Sequence, residues 1–263
     1  MLDVYSPKKN YLLAALPKAS YERLLPHLEL VPLRLGSVIY EFHEQSKYLY
    51  FPIDCIVSRL KRMENGTTDE VAIAGNKGLV GIPLFLESEG VFSWSMVQMA
   101  GHAYVIDSEV IKTEFDHDSP LHQLLLRYTR ALMTEVTQTL LCNRHHSTEQ
   151  KVCRWLLLRS DRLPSNEFTG TRTLIANLLG EKAPAIVEAM TRLQDEGAID
   201  YRTGQIIVRD RHILEGLVCD CYTVVSDAMD RLFPRRSQSR VLPKTRMPFS
   251  GVPSASLIDS GLR

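Results

Sequence analysis

The chain has 263 residues, 44% of them hydrophobic, and its 31 Lys plus Arg balance 31 Asp plus Glu. That length supports one or two domains with substantial cores. Its apolar runs are short and broken by charge, which excludes a transmembrane helix, and the opening MLDVYSPKKNYLLAAL lacks a signal-peptide core and cleavage site, so a cytoplasmic protein without membrane contact is expected.

The five cysteines (Cys55, Cys142, Cys153, Cys219, Cys221) are an odd set without a CxxC, which argues against a disulfide framework. An amphipathic helix carrying Leu12, Leu13, Leu16, Tyr21, Leu24 and Leu25 opens the chain. Short β-type runs follow at 38–40, 48–51, 56–57, 71–73, 94–97 and 103–106, punctuated by Gly, Pro, Asn and Asp. Asn65-Gly66 between two of them signals a hairpin. Many short strands at regular spacing predict a β-barrel or β-roll over residues 1–118.

A long helix is expected over residues 119–145, with Ser119-Pro120 at its start. Leu121, Leu125, Tyr128, Leu132, Val136 and Leu140 step along it by three or four. This stripe is read as a dimerisation face, and packing against the chain's own β-domain fits the same spacing. Another helix with Val152, Trp155, Leu156 and Leu157 follows, then a loop at Leu163-Pro164-Ser165-Asn166.

Residues 171–209 have the order of a winged helix-turn-helix. The first helix carries Leu174, Ile175, Leu178 and Leu179, and Gly180 supplies the sharp turn. The second carries Ile186, Val187, Met190 and Leu193 and ends at Gly197. Ala198-Ile199 and Ile206–Val208 form the wing around Thr203-Gly204. In such units the second helix enters the DNA major groove. A closing helix is expected over 213–233, ended by Pro234, and the tail 235–263 reads as disordered and basic. Net charge is −3 over 1–145, −2 over 146–234 and +5 over 235–263. The DNA-binding candidate is therefore not basic overall, and its cations Arg172, Lys182, Arg192, Arg202, Arg209 and Arg211 must gather on one face to bind phosphates. The tail's arginines either add salt-dependent phosphate contacts or are a solvated extension.

The order β-roll, long helix, winged helix-turn-helix resembles the Crp/Fnr family of bacterial transcription regulators. The segments YFPIDCIVSRL (50–60), GNKGLVGIPLFL (75–86) and CNRHHSTEQKVCRWLLLRSDRLPSNEF (142–168) carry the resemblance, which covers about residues 10–234. It implies an α+β fold: a β-roll like that of cyclic-nucleotide-binding domains (1–118), a dimerisation helix (119–145) and a DNA-binding domain (146–234). It also implies a homodimer bound to double-stranded palindromic promoter DNA. RNA polymerase, and either an unknown small-molecule effector or none, complete the expected partners.

The chain departs from that family twice. Members that bind cyclic nucleotides use a glutamate for the ribose and an arginine for the phosphate. Here Ile82 follows Gly81, and no arginine lies between Gly90 and Gly101. A phosphate buried without a cation is costly, so cyclic AMP is not expected to bind. Members also often place Arg-Glu early in the recognition helix, where this chain has Ala183-Pro184, with Glu188 further on. Bidentate arginine–guanine contacts, each about 1–3 kcal/mol of discrimination, are therefore missing. The expected DNA-contacting residues are Thr171, Arg172, Thr173, Lys182, Ala183, Ala185, Glu188 and Arg192, with the alanines on thymine methyls.

Cys142-Asn143-Arg144-His145-His146 has metal-like spacing but no second ligand cluster nearby in sequence, and it ends the long helix, where His and Arg meet the dipole favourably. Cys219 and Cys221 are expected on different faces of a helix, as packing residues. Neither a metal nor a cofactor is expected, and a sensor built on Cys142, His145 and His146 is the third reading. The family's N-terminal iron–sulfur cysteines have no counterpart, because residues 1–54 contain no cysteine. His43, His102 and His117 are isolated, so no enzyme is expected. Trp94 and Trp155 are read as core aromatics. The alternative to a DNA-binding regulator is a family scaffold that has lost sequence readout and acts as a protein-interaction or ligand-sensing module.

Overall fold

One buried side chain anchors the N-terminus. Asn10 caps the first helix, α1 (Tyr11–Ala15), by accepting hydrogen bonds from the Leu12 and Leu13 amides. Its amide nitrogen donates to the carbonyls of Pro52 at 2.9 Å and Gly78 at 2.8 Å. Each buried polar atom of Asn10 is thereby satisfied, and the helix is tied to the strands behind it. The computed structural model describes residues 5–41, 47–62, 68–85, 94–116 and 119–233. The expected single opening helix is two, α1 and α2 (Lys18–Leu24), because Pro17 holds Leu16 in extended backbone.

Strands β1 (Glu29–Leu33), β2 (Val38–Tyr40), β3 (Tyr48–Pro52), β4 (Ile56–Arg62), β5 (Thr68–Ala74), β6 (Trp94–Met99) and β7 (Gly101–Asp107) follow. They form two antiparallel sheets ordered β1-β7-β3 and β2-β6-β4-β5. Sequence reading missed β1, which contains Pro32. It lies at a sheet edge, where a residue lacking N–H is tolerated. β4 and β5 pair up to Arg62↔Thr68, and the Asn65-Gly66 hairpin expected between them falls outside the described residues. So does the tail 235–263.

α3 (Ser108–Asp116) leads into the long helix α4 (Pro120–His145), which Ser119 caps by accepting from the His122 amide. The expected dimer stripe divides. Leu121, Leu125, Tyr128 and Leu132 are buried in a core with α1, α2 and the roll. They pack within the chain, because the first turns of α4 lie on its own β-domain. Val136 and Leu140 stay exposed, with Leu126 and Met133.

The remaining elements are α5 (Thr148–Ser160), β8 (Glu167–Thr169), α6 (Arg172–Leu179), α7 (Ala183–Asp195), β9 (Ile199–Arg202), β10 (Gln205–Val208), α8 (Arg211–Leu217) and α9 (Asp220–Asp230). A capping box of Ser147 and Gln150 starts α5. The expected closing helix is α8 and α9, broken where Val218 and Cys219 are extended; Gly216 weakens the end of α8, and Asp220 favours the new N-terminus.

The roll and the C-terminal region share a core. Ile56, Leu60 and Ile73 of the β4–β5 sheet lie in one cluster with Trp155, Leu157, Leu178 and Leu179. Buried charges cross the same boundary. Glu135 on α4 is 1% exposed and takes both Arg162 guanidinium nitrogens at 2.8 Å. Arg162 also donates to the Ile73 carbonyl, and the Ile73 amide donates to Glu135. Alongside, Arg159 donates to Glu70 at 2.6 Å and lies 3.7 Å above the Trp155 ring. Gly75 approaches so closely that an added Cβ would meet the Arg162 carbonyl at 2.5 Å. Breaking a buried ion pair from one side leaves an uncompensated charge, at a cost of about 3–5 kcal/mol. Arg162→Met is therefore expected to lower unfolding free energy by about that amount; a urea midpoint within error of the wild type would refute the role given to this pair.

Candidate nucleic-acid interface

Each feature of the helix-turn-helix has a local cause. Thr171 caps α6 by accepting from the Leu174 amide at 3.1 Å. Gly180 ends it in left-handed backbone, φ +62°, and the Glu181 amide donates to the Ala176 carbonyl, giving a Schellman-type stop. At the end of α7, Gly197 has φ +77° and the Ala198 amide donates to Leu193. Thr203 (φ +50°) and Gly204 (φ +84°) form the two-residue turn of the wing, the backbone of a type I′ hairpin. β8, just after the loop expected at 163–166, adds a third strand to the wing sheet.

α7 buries Ile186, Ala189, Met190 and Leu193. The opposite face presents Lys182, Ala183, Pro184, Val187, Glu188, Thr191 and Arg192, all exposed, with Ala185 half-buried at its side. Pro184 stands in the first turn, where no intrahelical donor is lost. Thr171 and Thr173 are exposed at the start of α6. Most of the expected contact residues are thus exposed, with a qualification for the cations. Arg172 is half-buried, its guanidinium 4.5 Å above the Tyr201 ring of the wing. Arg192 lies 3.4 Å from Glu149. Arg202 and Arg209 both meet Asp200, and the Arg209 hydrogen bond holds that carboxyl below the usual range. Arg211 is bound to Asp161 and Glu215. Lys182 has no side-chain partner among the described residues, and it stands at the N-cap of α7.

A second layer, not legible in the sequence, steadies the turn. Glu181 accepts from Lys151 at 2.6 Å and from Thr148 at 3.0 Å, and Lys151 also donates to the Asn143 carbonyl. The turn between the two helices is thus fastened to the junction of α4 and α5. Asp69 of β5 lies on its other side, 3.3 Å from where a Gly180 Cβ would stand.

Inside the roll, a small pocket is lined by Arg59, Ser95, Tyr128 and Leu132, among others. Burial pushes the Arg59 pKa down, and Tyr128 donates to the Leu79 carbonyl at 3.1 Å. Arg59 lies on β4, outside the stretch from Gly90 to Gly101 where a phosphate partner would be expected. Ile82 is buried and apolar, as its residue type dictates.

The cysteines are arranged differently from expectation. Cys219 and Cys221 do not point apart, because Cys219 precedes α9 in extended backbone and the helical spacing does not apply to it. Both reach Cys142 and His146 at the end of α4. His145 is exposed and takes no part.

Residues 150–217 match the Crp-like helix-turn-helix domain. No curated protein sequence matches the chain. Solved structures similar to it include a putative transcriptional regulator of the Crp/Fnr family from Eubacterium rectale, with TM-score 0.60, 17% identity, and coverage of 80% of this chain and 98% of that one. FixK2 from Bradyrhizobium japonicum has TM-score 0.59 and 16% identity over 73% of this chain and 98% of its own. The c-di-GMP-responsive global regulator CLP from Xanthomonas campestris has TM-score 0.57 and 16% identity over 74% and 100%. Among the described residues no helix is long and apolar enough to cross a membrane. With its roll, long helix and winged helix-turn-helix in this order, the chain has the fold of the Crp/Fnr transcription regulators and carries a Crp-like helix-turn-helix domain.

Proposed function

We propose that this chain is a transcription regulator that binds imperfect palindromic promoter DNA as a homodimer and is not controlled by cyclic AMP. The observation that carries the reading is the exposed face of α7, from Lys182 to Arg192, held outward in a Crp-like helix-turn-helix by the two glycine stops. Lys182 stands where the first turn meets phosphate or base edges. Ala183, Pro184 and Val187 offer apolar contact to thymine methyls, and Thr171 and Thr173 flank them toward the backbone. Arg192 must leave Glu149 to reach DNA, and Glu188 repels phosphate, so base readout is weaker than an arginine-led helix would give.

The dimer reading rests on the second face of α4. Leu126, Met133 and Leu140 recur every seven residues, with Val136 between, and Met133 and Leu140 are 66% and 70% exposed. This is the spacing of a two-helix seam. Such a dimer places its recognition helices about 34 Å apart, one turn of DNA. The absence of cyclic AMP control rests on apolar, buried Ile82 at the position of the ribose-binding glutamate.

Glu188 and the Arg192–Glu149 pair favour the second reading, a scaffold without sequence readout that serves protein interaction or ligand sensing. Selection of genomic fragments by the full chain, then anisotropy titration at two salt concentrations, separates the two. A recurrent palindrome losing about 1–3 kcal/mol per mismatched pair supports the regulator; weak, salt-labile binding without a motif supports the scaffold. On the selected site, Lys182→Ala together with Arg172→Ala is expected to weaken binding about tenfold and lower the salt slope by about 1–2, and unchanged affinity would count against the α7 surface. In light scattering, Met133→Glu with Leu140→Glu is expected to convert the dimer to monomer; a variant that stays dimeric removes α4 as the seam.

A further inference from the structure

We propose that Cys142, His146, Cys219 and Cys221 form a structural zinc site that clamps the end of α4 to the start of α9. The four side chains come from segments about 75 residues apart and offer ligand atoms all within 4.8 Å of one another. Cys142 Sγ lies 3.7 Å from Cys219 Sγ, and Cys221 Sγ lies 3.6 Å from His146 Nδ1. In a tetrahedral zinc site with Zn–S near 2.3 Å and Zn–N near 2.0 Å, neighbouring ligand atoms stand about 3.5–3.8 Å apart. A disulfide requires an S–S separation of about 2.05 Å, and the observed gap matches shared metal ligands instead.

The donor set and its surroundings agree. Three cysteines and one histidine are a closed structural set for Zn2+, soft enough to exclude calcium and magnesium. All three cysteines are buried and form a small cluster of their own, apart from the larger cores. Zinc with three thiolates carries one net negative charge. Arg154, itself 6% exposed, stands one turn from Cys142 through its bond to Thr139. It donates to Thr139 through one guanidinium nitrogen while its buried Nε has no hydrogen-bond partner. The backbone is prearranged for the site. Cys142 and His146 are one helical turn apart, and the His146 amide donates to the Cys142 carbonyl. Cys219 is the N-cap of α9 and uses no side-chain capping bond, so its sulfur is available.

The site would fix where the long helix ends relative to the last helix, beside the Asn143–Lys151–Glu181 contacts that hold the helix-turn-helix. It needs no DNA and stands independently of the regulator reading.

The test uses the full chain, prepared without an affinity tag, in reducing buffer and dialysed exhaustively. Elemental analysis is expected to find about one zinc per chain. Replacement by Co2+ is expected to give a thiolate-to-cobalt charge-transfer band and the strong visible bands of a tetrahedral centre. Cys221→Ser and His146→Gln should each change the Co2+ spectrum, while Cys153→Ser, which alters a buried cysteine outside the cluster, should not. The wild-type spectrum decides even where a variant fails to fold. Absence of stoichiometric zinc together with no tetrahedral cobalt spectrum overturns the site. Recovery of a Cys142–Cys219 disulfide from freshly purified, non-reduced protein overturns it as well.

Discussion

Glu135 and Arg162 meet where the roll, the long helix and the DNA-binding domain converge. The carboxylate belongs to α4, the guanidinium follows α5, and the backbone of Ile73 in β5 completes the arrangement from both of its polar groups. Such a pair contributes little net stability compared with an apolar replacement, because desolvation offsets the attraction. Its partners come from all three elements, so a displacement that removes one of them leaves a buried charge uncompensated. Arg159 with Glu70 repeats the arrangement one turn earlier on α5. Packing on both sides then follows, with Ile56, Leu60 and Ile73 closing over Trp155 and Leu157.

The helix-turn-helix was legible because its causes are local. Gly180 and Gly197 mark conformations that other residues adopt only with strain, and the 3.6-residue spacing of Ile186, Met190 and Leu193 declares a buried face. The strand runs of the roll were equally readable, apart from β1, where Pro32 reads as a break and only the sheet edge explains its presence. What the sequence did not reveal is pairing at a distance. Leu121, Leu125, Tyr128 and Leu132 have a periodicity that says one face is buried but not against what. Glu70, Glu135, Arg159 and Arg162 look like surface charge until the fold buries them. The cysteines at 219 and 221 looked unrelated to Cys142 because nothing local connects residues some 75 positions apart.

The interface itself is electrostatically reserved. Most of its arginines are engaged with carboxylates or with the Tyr201 ring, and its recognition helix begins with alanine and proline. On the proposed reading, such a surface would rely on shape, on apolar contact with methyl groups and on the few charges that remain available, with less dependence on a dense phosphate-binding patch. The glutamate in the turn strengthens this impression of restraint: Glu181 is held by Lys151, so that cation is also withheld from the DNA side.

The contact of β5 with the turn between α6 and α7 has a mechanical meaning. In a regulator whose sensing and reading parts are joined by a flexible hinge, the two drift relative to one another at little energetic cost. Here the strand that carries Asp69 also supplies Glu70 and Ile73, so separating the parts would expose apolar side chains and strip two arginines of their partners. The roll, α4 and the helix-turn-helix region are therefore fastened as one packed unit, and parting them would cost both the shared apolar core and the buried ion pairs.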